Sequence, residues 1–381
     1  MAEYSVVFSD GLASKPKHRL IELPPELAAW LTTGDESTPT STLNAPTKTL
    51  TIRGLEDDNA VLCTPNQAYE IRQVNVSNTM LVAQRCMAQP NPTIRILDSF
   101  DNCFELEPTL PRASRVWQLL SSTSYSGPEY EELNTNGQKR YTWDDLCASV
   151  QLDDRQLMKI LFGMPAILLD GYFRLLDPAY VSSVLQLIFA TLVIEDVPLD
   201  KVPVQVCLDD LADQGIPSMV ITQLLRAFAL ECSPTFATTA ETETYALDTT
   251  KVTRFFASQL LQADKNKRWL KRDFMDAWRK LTPEALPVDL ALLRGLVVEE
   301  TQDRNHQTYI YYLAHDTLSH DPPTRFRELF RLKERWTAEE MEPFIETLTP
   351  SAKKRATLVL KHCRMSKHQG ATMFTSRVRF H

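Results

Sequence analysis

Basic residues near the C terminus are the side chains of this 381-residue chain that are best suited to chemistry. Between residues 351 and 381 there are eight Lys and Arg and no Asp or Glu. Positive charge without acidic neighbours favours phosphate binding, and few Asn or Gln accompany it to read bases. We therefore predict contact with single- or double-stranded DNA that does not depend on sequence. The predicted residues are Lys353, Lys354, Arg355, Lys361, Arg364, Lys367, Arg377 and Arg379.

A second basic cluster lies in residues 265–272, next to several aromatic residues. Trp269, Phe274 and Trp278 recur at helical spacing, which favours a place in the hydrophobic core over stacking against bases. The basic residues add to the positive charge of the same half of the chain. They extend the predicted DNA-binding set by Arg268, Lys271 and Arg272.

Side-chain patterns typical of catalysis are missing from the sequence. None of the ten glycines belongs to a GxGxxG, GxxxxGK[ST] or GxSxG pattern, so a phosphate-binding loop or nucleophile elbow has no candidate. His362, Cys363 and His368 come nearest to zinc-ligand spacing but are better explained as part of a basic helix. Adjacent acids such as Asp144 and Asp145 point about 100° apart on a helix, which is poor geometry for paired-carboxylate catalysis. We predict that the protein is not an enzyme and binds no metal or cofactor.

Length and charge distribution indicate several domains of different character. A chain of this length exceeds one ordinary domain, and residues 265–381 carry a net charge of +7 against −15 for the rest. Seven cysteines without a CxxC pattern fit a reducing compartment, the cytosol or the nucleus. The most apolar stretch, residues 184–194, is shorter than the ~20 residues that cross a bilayer. No membrane contact is therefore expected.

Residues 48–108 contain six short runs in which apolar and polar residues alternate between turn-forming residues. This period of two predicts strands of a small barrel or sandwich. About 60 residues of short strands make a marginal core, so we expect another chain to complete an open sheet edge. The predicted partner-binding residues are Ile52, Val61, Leu62, Tyr69, Ile71 and Leu81.

Beyond residue 111 the period of the apolar residues becomes helical. Thr142, Asp153 and Thr337 each precede an acid or Gln by three residues, a pattern that predicts capping boxes. Groups of two or three helices are followed by β-like segments roughly every 60 to 75 residues. Helices closed by a small hairpin are typical of winged-helix domains. The spacing is compatible with three or four such units.

The last predicted helix, opened by Ser351, is expected to have two different faces. Lys353, Lys361 and Arg364 share its solvent side. The predicted buried side consists of Ala352, Ala356, Val359, Leu360 and Cys363.

Ordered stretches along nearly the whole chain, including RWLKRDFMDAW at 268–278, carry a family resemblance. The other stretches are 20–23, 50–54, 60–64, 69–72, 77–79, 169–172 and 311–336. Together they resemble the sister chromatid cohesion (Dcc) family, subunits of the alternative replication factor C-like clamp loader. Specificity comes from their ordered combination, because none is a catalytic signature.

The resemblance implies an α+β protein: an N-terminal β domain in a triple barrel shared with sister subunits, followed by three winged-helix domains. We divide the chain into a β domain (1–110), a first winged helix (111–180), a second winged helix or connector (181–264) and a basic C-terminal winged-helix region (265–381). The resemblance further implies a nuclear, non-catalytic subunit that helps load or unload the sliding clamp PCNA. DNA polymerase epsilon and DNA are implied partners, and the clamp is contacted indirectly.

A free-standing winged-helix transcriptional regulator is the alternative interpretation. Such a protein needs base-reading side chains on a helix and commonly forms a symmetric dimer. The incomplete β domain favours assembly with different subunits instead.

Overall fold

The chain divides into two compact units, Met1–Thr109 and Leu110–His381, which are described separately. The structure is a computed structural model with both helices and strands in its described part. The described residues are 5–9, 18–32, 50–56, 58–65, 67–86, 93–110, 114–131, 138–231, 243–302, 307–315, 317–349, 351–368 and 371–377.

The first unit is a six-stranded mixed sheet with one helix. Its order is β1-β6-β5-β4-β3, with β2 also paired to β6, and the described strands do not close into a barrel. The elements are β1 (Ser5–Phe8), β2 (Ile21–Glu22), α1 (Pro25–Thr32), β3 (Thr51–Arg53), β4 (Val61–Cys63), β5 (Ala68–Cys86) and β6 (Thr93–Thr109).

Two long antiparallel strands, β5 and β6, replace four of the six short strands predicted for this unit. The polar run around Ser77 and Asn78 was interpreted as a turn, but it lies at a register shift between Asn75 and Met80. A bulge accommodates such residues without ending the strand, so turn-forming residues alone do not separate a turn from a bulge. The parallel edge strands β1 and β2 were not predicted.

The first unit has a small core divided between the two faces of its sheet. On one face α1 covers Leu62, Tyr69 and Leu106 with its residue Leu27. On the other, Val61, Cys63 and Ala68 form a second small cluster. Exposed apolar side chains remain on the edge strands and on β5.

The second unit repeats a similar order of described elements four times: one helix, or two in repeat 1, then a short extended segment, two further helical segments, and a closing strand or hairpin. We name these segments repeat 1 (114–176), repeat 2 (178–247), repeat 3 (249–313) and repeat 4 (322–376). The spacing left three or four units open, and residues 265–381 contain most of repeat 3 and all of repeat 4.

Repeats 1 and 2 differ in the length of the first helix, in an additional short helix in repeat 1, and in the closing hairpin, of which one strand is described in repeat 2. Repeat 1 contains α2 (Ser114–Ser121), α3 (Pro128–Glu131), α4 (Trp143–Ser149), α5 (Asp154–Phe162), β7 (Ala166–Leu169) and β8 (Tyr172–Leu175). Repeat 2 contains α6 (Pro178–Ile194), β9 (Val202–Pro203), α7 (Val204–Leu211), α8 (Ser218–Ala227) and β10 (Thr244–Tyr245).

Repeats 3 and 4 carry the longer hairpins. Repeat 3 contains α9 (Thr249–Ala263), β11 (Trp269–Leu270), α10 (Lys271–Leu281), a 3₁₀ turn (Leu290–Leu293), β12 (Val297–Thr301) and β13 (Thr308–Tyr312). Repeat 4 contains α11 (Pro322–Leu332), β14 (Trp336–Thr337), α12 (Ala338–Ile345), α13 (Ala352–His362), β15 (Cys363–His368) and β16 (Ala371–Ser376).

In every repeat the segment after the first helix pairs antiparallel with the last strand of the hairpin. The pairs are Tyr141 with Phe173, β9 with β10, β11 with β13 and β14 with β16. One continuous core extends from Ile167 in repeat 1 to Ile310 in repeat 3. A second core, with Trp336 and Phe344, lies mainly in repeat 4 and includes Val298 and Leu313 of repeat 3. No described helix is long and apolar enough to cross a membrane.

Two of the three predicted capping boxes are confirmed. Thr142 and Thr337 each accept a hydrogen bond from the N3 backbone N–H, and the N3 carboxylate accepts one from the cap in return. Asp153 caps α5, but Gln156 does not complete a box and its Oε1 has no hydrogen-bond partner. The third box was therefore wrong, although its helix start was correct.

Candidate nucleic-acid and subunit interfaces

Helix α13 lies on the surface of repeat 4, with a rotation that differs from the predicted one. Leu358 and Val359 pack against the core of repeat 4, and the ring of His362 stacks on Phe326 with centroids 5.0 Å apart. Burial, then the charge of Lys361, lowers the pKa of His362, which favours the neutral form of the ring.

The predicted buried stripe of α13 was wrong at three of its five positions. Ala352, Ala356 and Leu360 are exposed, whereas Val359 is half-buried and Cys363 is buried. Two neighbouring stripes of this helix carry similar numbers of apolar residues. Tertiary contacts, such as the stacking of His362 on Phe326, determine which side of the helix faces inward, and the spacing of apolar residues in the sequence does not reveal them.

Two of the predicted DNA-binding residues hold repeat 4 together. Arg355 donates from Nε to Glu342 Oε1 at 3.2 Å and from Nη1 to the Thr349 carbonyl at 2.9 Å. Arg377 donates from Nε to the Cys363 carbonyl at 2.9 Å. Arg379 lies outside the described residues.

The other basic residues of this region point to solvent. Among the described residues, no acidic side chain forms an ion pair with Lys353, Lys361, Arg364 or Lys367, and Lys354 is also exposed. Outward charge of a single sign can bind phosphates but offers little hydrogen-bonding capacity for base edges.

The second basic cluster is largely neutralised by acids of repeat 3. The Arg268 guanidinium lies 3.9 Å from the Tyr309 ring centroid and 3.6 Å from Glu300. Lys271 Nζ lies 2.7 Å from Glu299. Burial and the hydrogen bond to Glu300 raise the pKa of Tyr311 to about 12.

Arg272 is the most exposed of the three predicted residues in this cluster, and its nearest acid is Asp273 at 3.5 Å. The aromatic assignment was correct for Phe274 and Trp278, which are fully buried, while Trp269 packs partly buried beside them.

The helix that precedes the hairpin differs between the repeats. In repeat 4 this helix, α13, carries the exposed residues Lys353 and Lys361, whereas in repeat 2 it has no comparable basic surface. In α8 most residues are buried, and Gln223 points into the junction with repeat 1. The corresponding segment of repeat 3 is only the 3₁₀ turn Leu290–Leu293. Helix α5 exposes charges of both signs, Asp154 and Arg155. Helix α13 is therefore the better candidate for contact with a nucleic acid.

The predicted partner-binding residues of the first unit divide into exposed and buried groups. Ile52 and Leu81 are exposed, by 60% and 52%. Val61, Leu62 and Tyr69 are already buried within the chain, and Ile71 packs partly buried beside α1. The assignment of these buried residues to a partner interface was wrong, because period-two alternation does not reveal which face an unpredicted helix covers.

Sequence reasoning also missed exposed apolar residues on the edge strand β1. Val6, Val7 and Phe8 are all exposed there, although the strand pairs with β6. The run of three consecutive apolar residues is the sequence feature that could have indicated this exposed apolar surface. Together with Ile52 on the opposite edge strand, they leave apolar side chains at both edges of the sheet.

Comparison with known proteins accounts for nearly all of the chain. The family model described as sister chromatid cohesion protein Dcc1 matches residues 18–345. The chain belongs to the Dcc1 family. Proteins of this family are sister chromatid cohesion factors.

Individual Dcc1 proteins match at similar levels in distant organisms. The sister chromatid cohesion protein DCC1 of Danio rerio is 29% identical over 340 residues, which cover 87% of this chain and 85% of the relative. The Homo sapiens protein is 27% identical, with 94% and 88% covered. The Saccharomyces cerevisiae protein is 23% identical, with 95% and 97% covered. The similarity thus extends over both units.

Proposed function

We propose that this chain is a non-catalytic accessory subunit of an alternative replication factor C-like complex that loads or unloads PCNA at replication forks. In this proposal it joins the clamp loader, DNA polymerase epsilon and DNA in the nucleus, in support of sister chromatid cohesion. The sequence contains no phosphate-binding loop, so ATP hydrolysis is assigned to other subunits.

The open sheet of the first unit is the observation that carries the proposal. A sheet with apolar side chains at both edges, such as Phe8 and Ile52, is prone to pairing with other chains. A cohesion factor with such a sheet is suited to assembly with sister subunits that complete a barrel. The buried residues Leu62 and Tyr69 then support the sheet, and the exposed ones contact the partners.

The four repeats of the second unit are interpreted as winged-helix domains, one more than the family resemblance implies. Each has a similar order of helical segments, a short extended segment and a closing strand or hairpin, which resembles the plan of that domain. The exposed Lys353 and Lys361 of α13, with Arg364 and Lys367 of β15, support DNA contact through phosphates in repeat 4. The polymerase is assigned to the surfaces of the remaining repeats.

Co-expression with candidate sister subunits tests the assembly role. We expect the full chain to co-elute with them in a stoichiometric complex, and Ile52→Asp to reduce this complex because it places a charge in an apolar interface. Leu360→Asp is the matched control, since Leu360 on α13 is 59% exposed against 60% for Ile52.

Two results would contradict the proposal. One is an equal reduction of assembly in both variants or in neither. The other is a symmetric homodimer of the purified chain that prefers one DNA sequence, which would favour a transcriptional regulator.

A further inference from the structure

An apolar groove lies at the junction of repeats 1 and 2, and none of its lining residues belongs to α13. It has a volume of about 380 Å³ and is bounded by α5 and the β7–β8 hairpin on one side and by α8 on the other. Phe162, Met158, Leu168 and Met219 are among its lining residues. Leu168 and Met219 are 48% and 43% exposed, which is unusual for two large apolar residues that share one groove.

The wall formed by β7 has a free main-chain edge. Asp170 and Gly171 both have positive φ, at 51° and 81°, so they form the two-residue turn in which Leu169 and Tyr172 are the hydrogen-bonded pair. Leu168 and Phe173 are then a pair that does not exchange hydrogen bonds.

A hydrogen bond on the outer side of β8 confirms which residues of the hairpin direct their N–H and C=O groups outward. The N–H of Phe173 points away from β7 and donates to the Tyr141 carbonyl at 2.9 Å. By the same geometry the N–H and C=O of Leu168 point away from β8. In the described part of the chain, β8 is the strand paired with β7, and no strand occupies the other side.

The groove also has a fixed wall and a single charged residue. The Gln223 amide donates to the carbonyls of Met164, Phe162 and Leu161 at 2.9 to 3.4 Å, which holds α8 against the end of α5. Arg226 is the charged residue of the lining.

Part of the Arg226 guanidinium is engaged within repeat 2. Its Nε donates to Tyr245 Oη at 3.2 Å, and its Nη2 lies 3.6 Å from Glu243. No described residue bonds to its Nη1. The N–H groups of Nη1 can therefore donate to a further carboxylate.

We propose that this groove binds an extended segment of a partner protein, which adds a strand to β7. Main-chain bonds to Leu168 hold the segment, alternate apolar side chains enter between Met158 and Met219, and an acidic residue meets Arg226. This is strand addition, in which the main chain supplies affinity and side-chain pockets supply specificity. The inference does not rest on the proposed clamp-loader role.

Synthetic peptides are the probe for this groove. Two fluorescein-labelled peptides of alternating Val and Thr carry Asp at one end or the other, because the direction of the added strand is not fixed. Two matched versions replace the Asp residues by Lys or place Pro at alternate positions. Proline removes the main-chain donors that strand addition requires. Binding to the full chain is measured by fluorescence anisotropy.

We expect saturable binding of at least one Asp peptide and about tenfold or greater weakening with the Lys or Pro version. Met219→Asp should weaken binding about tenfold or more, because it places an unpaired charge in the apolar groove. Met365→Asp, at an exposed methionine in repeat 4, should leave binding unchanged.

A variant that removes a main-chain N–H donor distinguishes binding by strand addition from binding by apolar contact alone. Leu168→Pro removes the outward N–H without breaking a bond to β8, whereas Leu168→Val keeps it, so only the former should abolish binding. Hydrogen exchange at the Leu168 amide should slow when the peptide binds. Absence of saturable binding by both Asp peptides, equal binding by the Pro version, or unchanged affinity in Met219→Asp would overturn the proposal.

Discussion

Of the basic residues that follow Ser351, two form hydrogen bonds within repeat 4, and one of them, Arg355, is also paired with an acid. Arg355 bonds to Glu342 and to the Thr349 carbonyl, and Arg377 bonds to the Cys363 carbonyl. The sequence predicts a basic surface correctly, but it does not tell a solvated cation from one that satisfies a main-chain carbonyl. That distinction depends on contacts between α12, α13 and the hairpin, which charge counting does not include.

The exposed cations of α13 and of the following strand β15 should set the salt dependence of DNA binding, with Lys353 and Lys361 on the helix and Arg364 on the strand. Changing Lys353, Lys361 and Arg364 to Gln removes three exposed charges. For duplex DNA, the slope of log affinity against log salt falls by about 0.9 for each phosphate that the protein no longer neutralises. We expect weaker binding and a flatter salt dependence on two unrelated duplexes, measured by fluorescence anisotropy over a salt series.

The matched control for this triple variant is Arg268→Gln with Lys271→Gln. These residues are already paired with Glu300 and Glu299, so their removal should change the slope less. If the triple variant binds DNA with the same affinity and salt dependence as the original chain, the three residues do not contact DNA. A strong preference for one duplex would mean that bases are read.

At the level of elements, a long side chain of the later repeat donates a hydrogen bond across each junction between repeats. Gln223 donates to carbonyls at the end of α5, Lys251 Nζ to the Ala229 carbonyl at 2.6 Å, and Lys333 Nζ to the Glu299 carbonyl at 3.1 Å. Each bond satisfies a carbonyl near the end of a helix or in a hairpin. Together with the core shared by repeats 1 to 3, these bonds fix each repeat against the next.

Removal of the Gln223 amide should destabilise the second unit. Gln223→Met keeps the volume but leaves buried carbonyls at the end of α5 without this donor, which we expect to lower the free energy of unfolding by about 1–3 kcal/mol. Gln205→Met is the control, because Gln205 bonds only to Asp209 within its own helix. Urea unfolding of the full chain measures both. Equal stability of the two variants would show that the junction bond is dispensable.

Element starts were predictable where one short motif contains all the interacting groups. The capping boxes at Thr142 and Thr337 are of this kind, and both are formed. Strand lengths and the rotation of α13 were not predictable. Strand β5 pairs with β6 on both sides of the register shift between Asn75 and Met80, and the inward face of α13 depends on Phe326. Short sequence motifs therefore predict hydrogen bonds between neighbouring residues, whereas strand length and helix rotation depend on residues that are distant in the sequence.

For the whole molecule, the two units differ in how far each can stabilise itself. The first unit has two small clusters of buried residues, whereas the second has a core continuous over three repeats and a further core in repeat 4. Small domains bury a lower fraction of their surface and are correspondingly marginal. The sequence predicted this weakness from the short strands, and the exposed apolar residues at both sheet edges agree with it.

Separate expression of the two units should therefore give opposite results. Residues 110–381 should melt cooperatively and keep the salt slope of the full chain on duplex DNA, because α13 and its supports lie wholly within them. They should fail to co-elute with sister subunits, since the sheet is absent.

Residues 1–109 alone should show no cooperative transition by circular dichroism and should gain one when co-expressed with those subunits, because partner side chains then cover Phe8 and Ile52. Cooperative melting of residues 1–109 in isolation would show that the open sheet is self-sufficient, and assembly by residues 110–381 alone would move the subunit interface to the repeats.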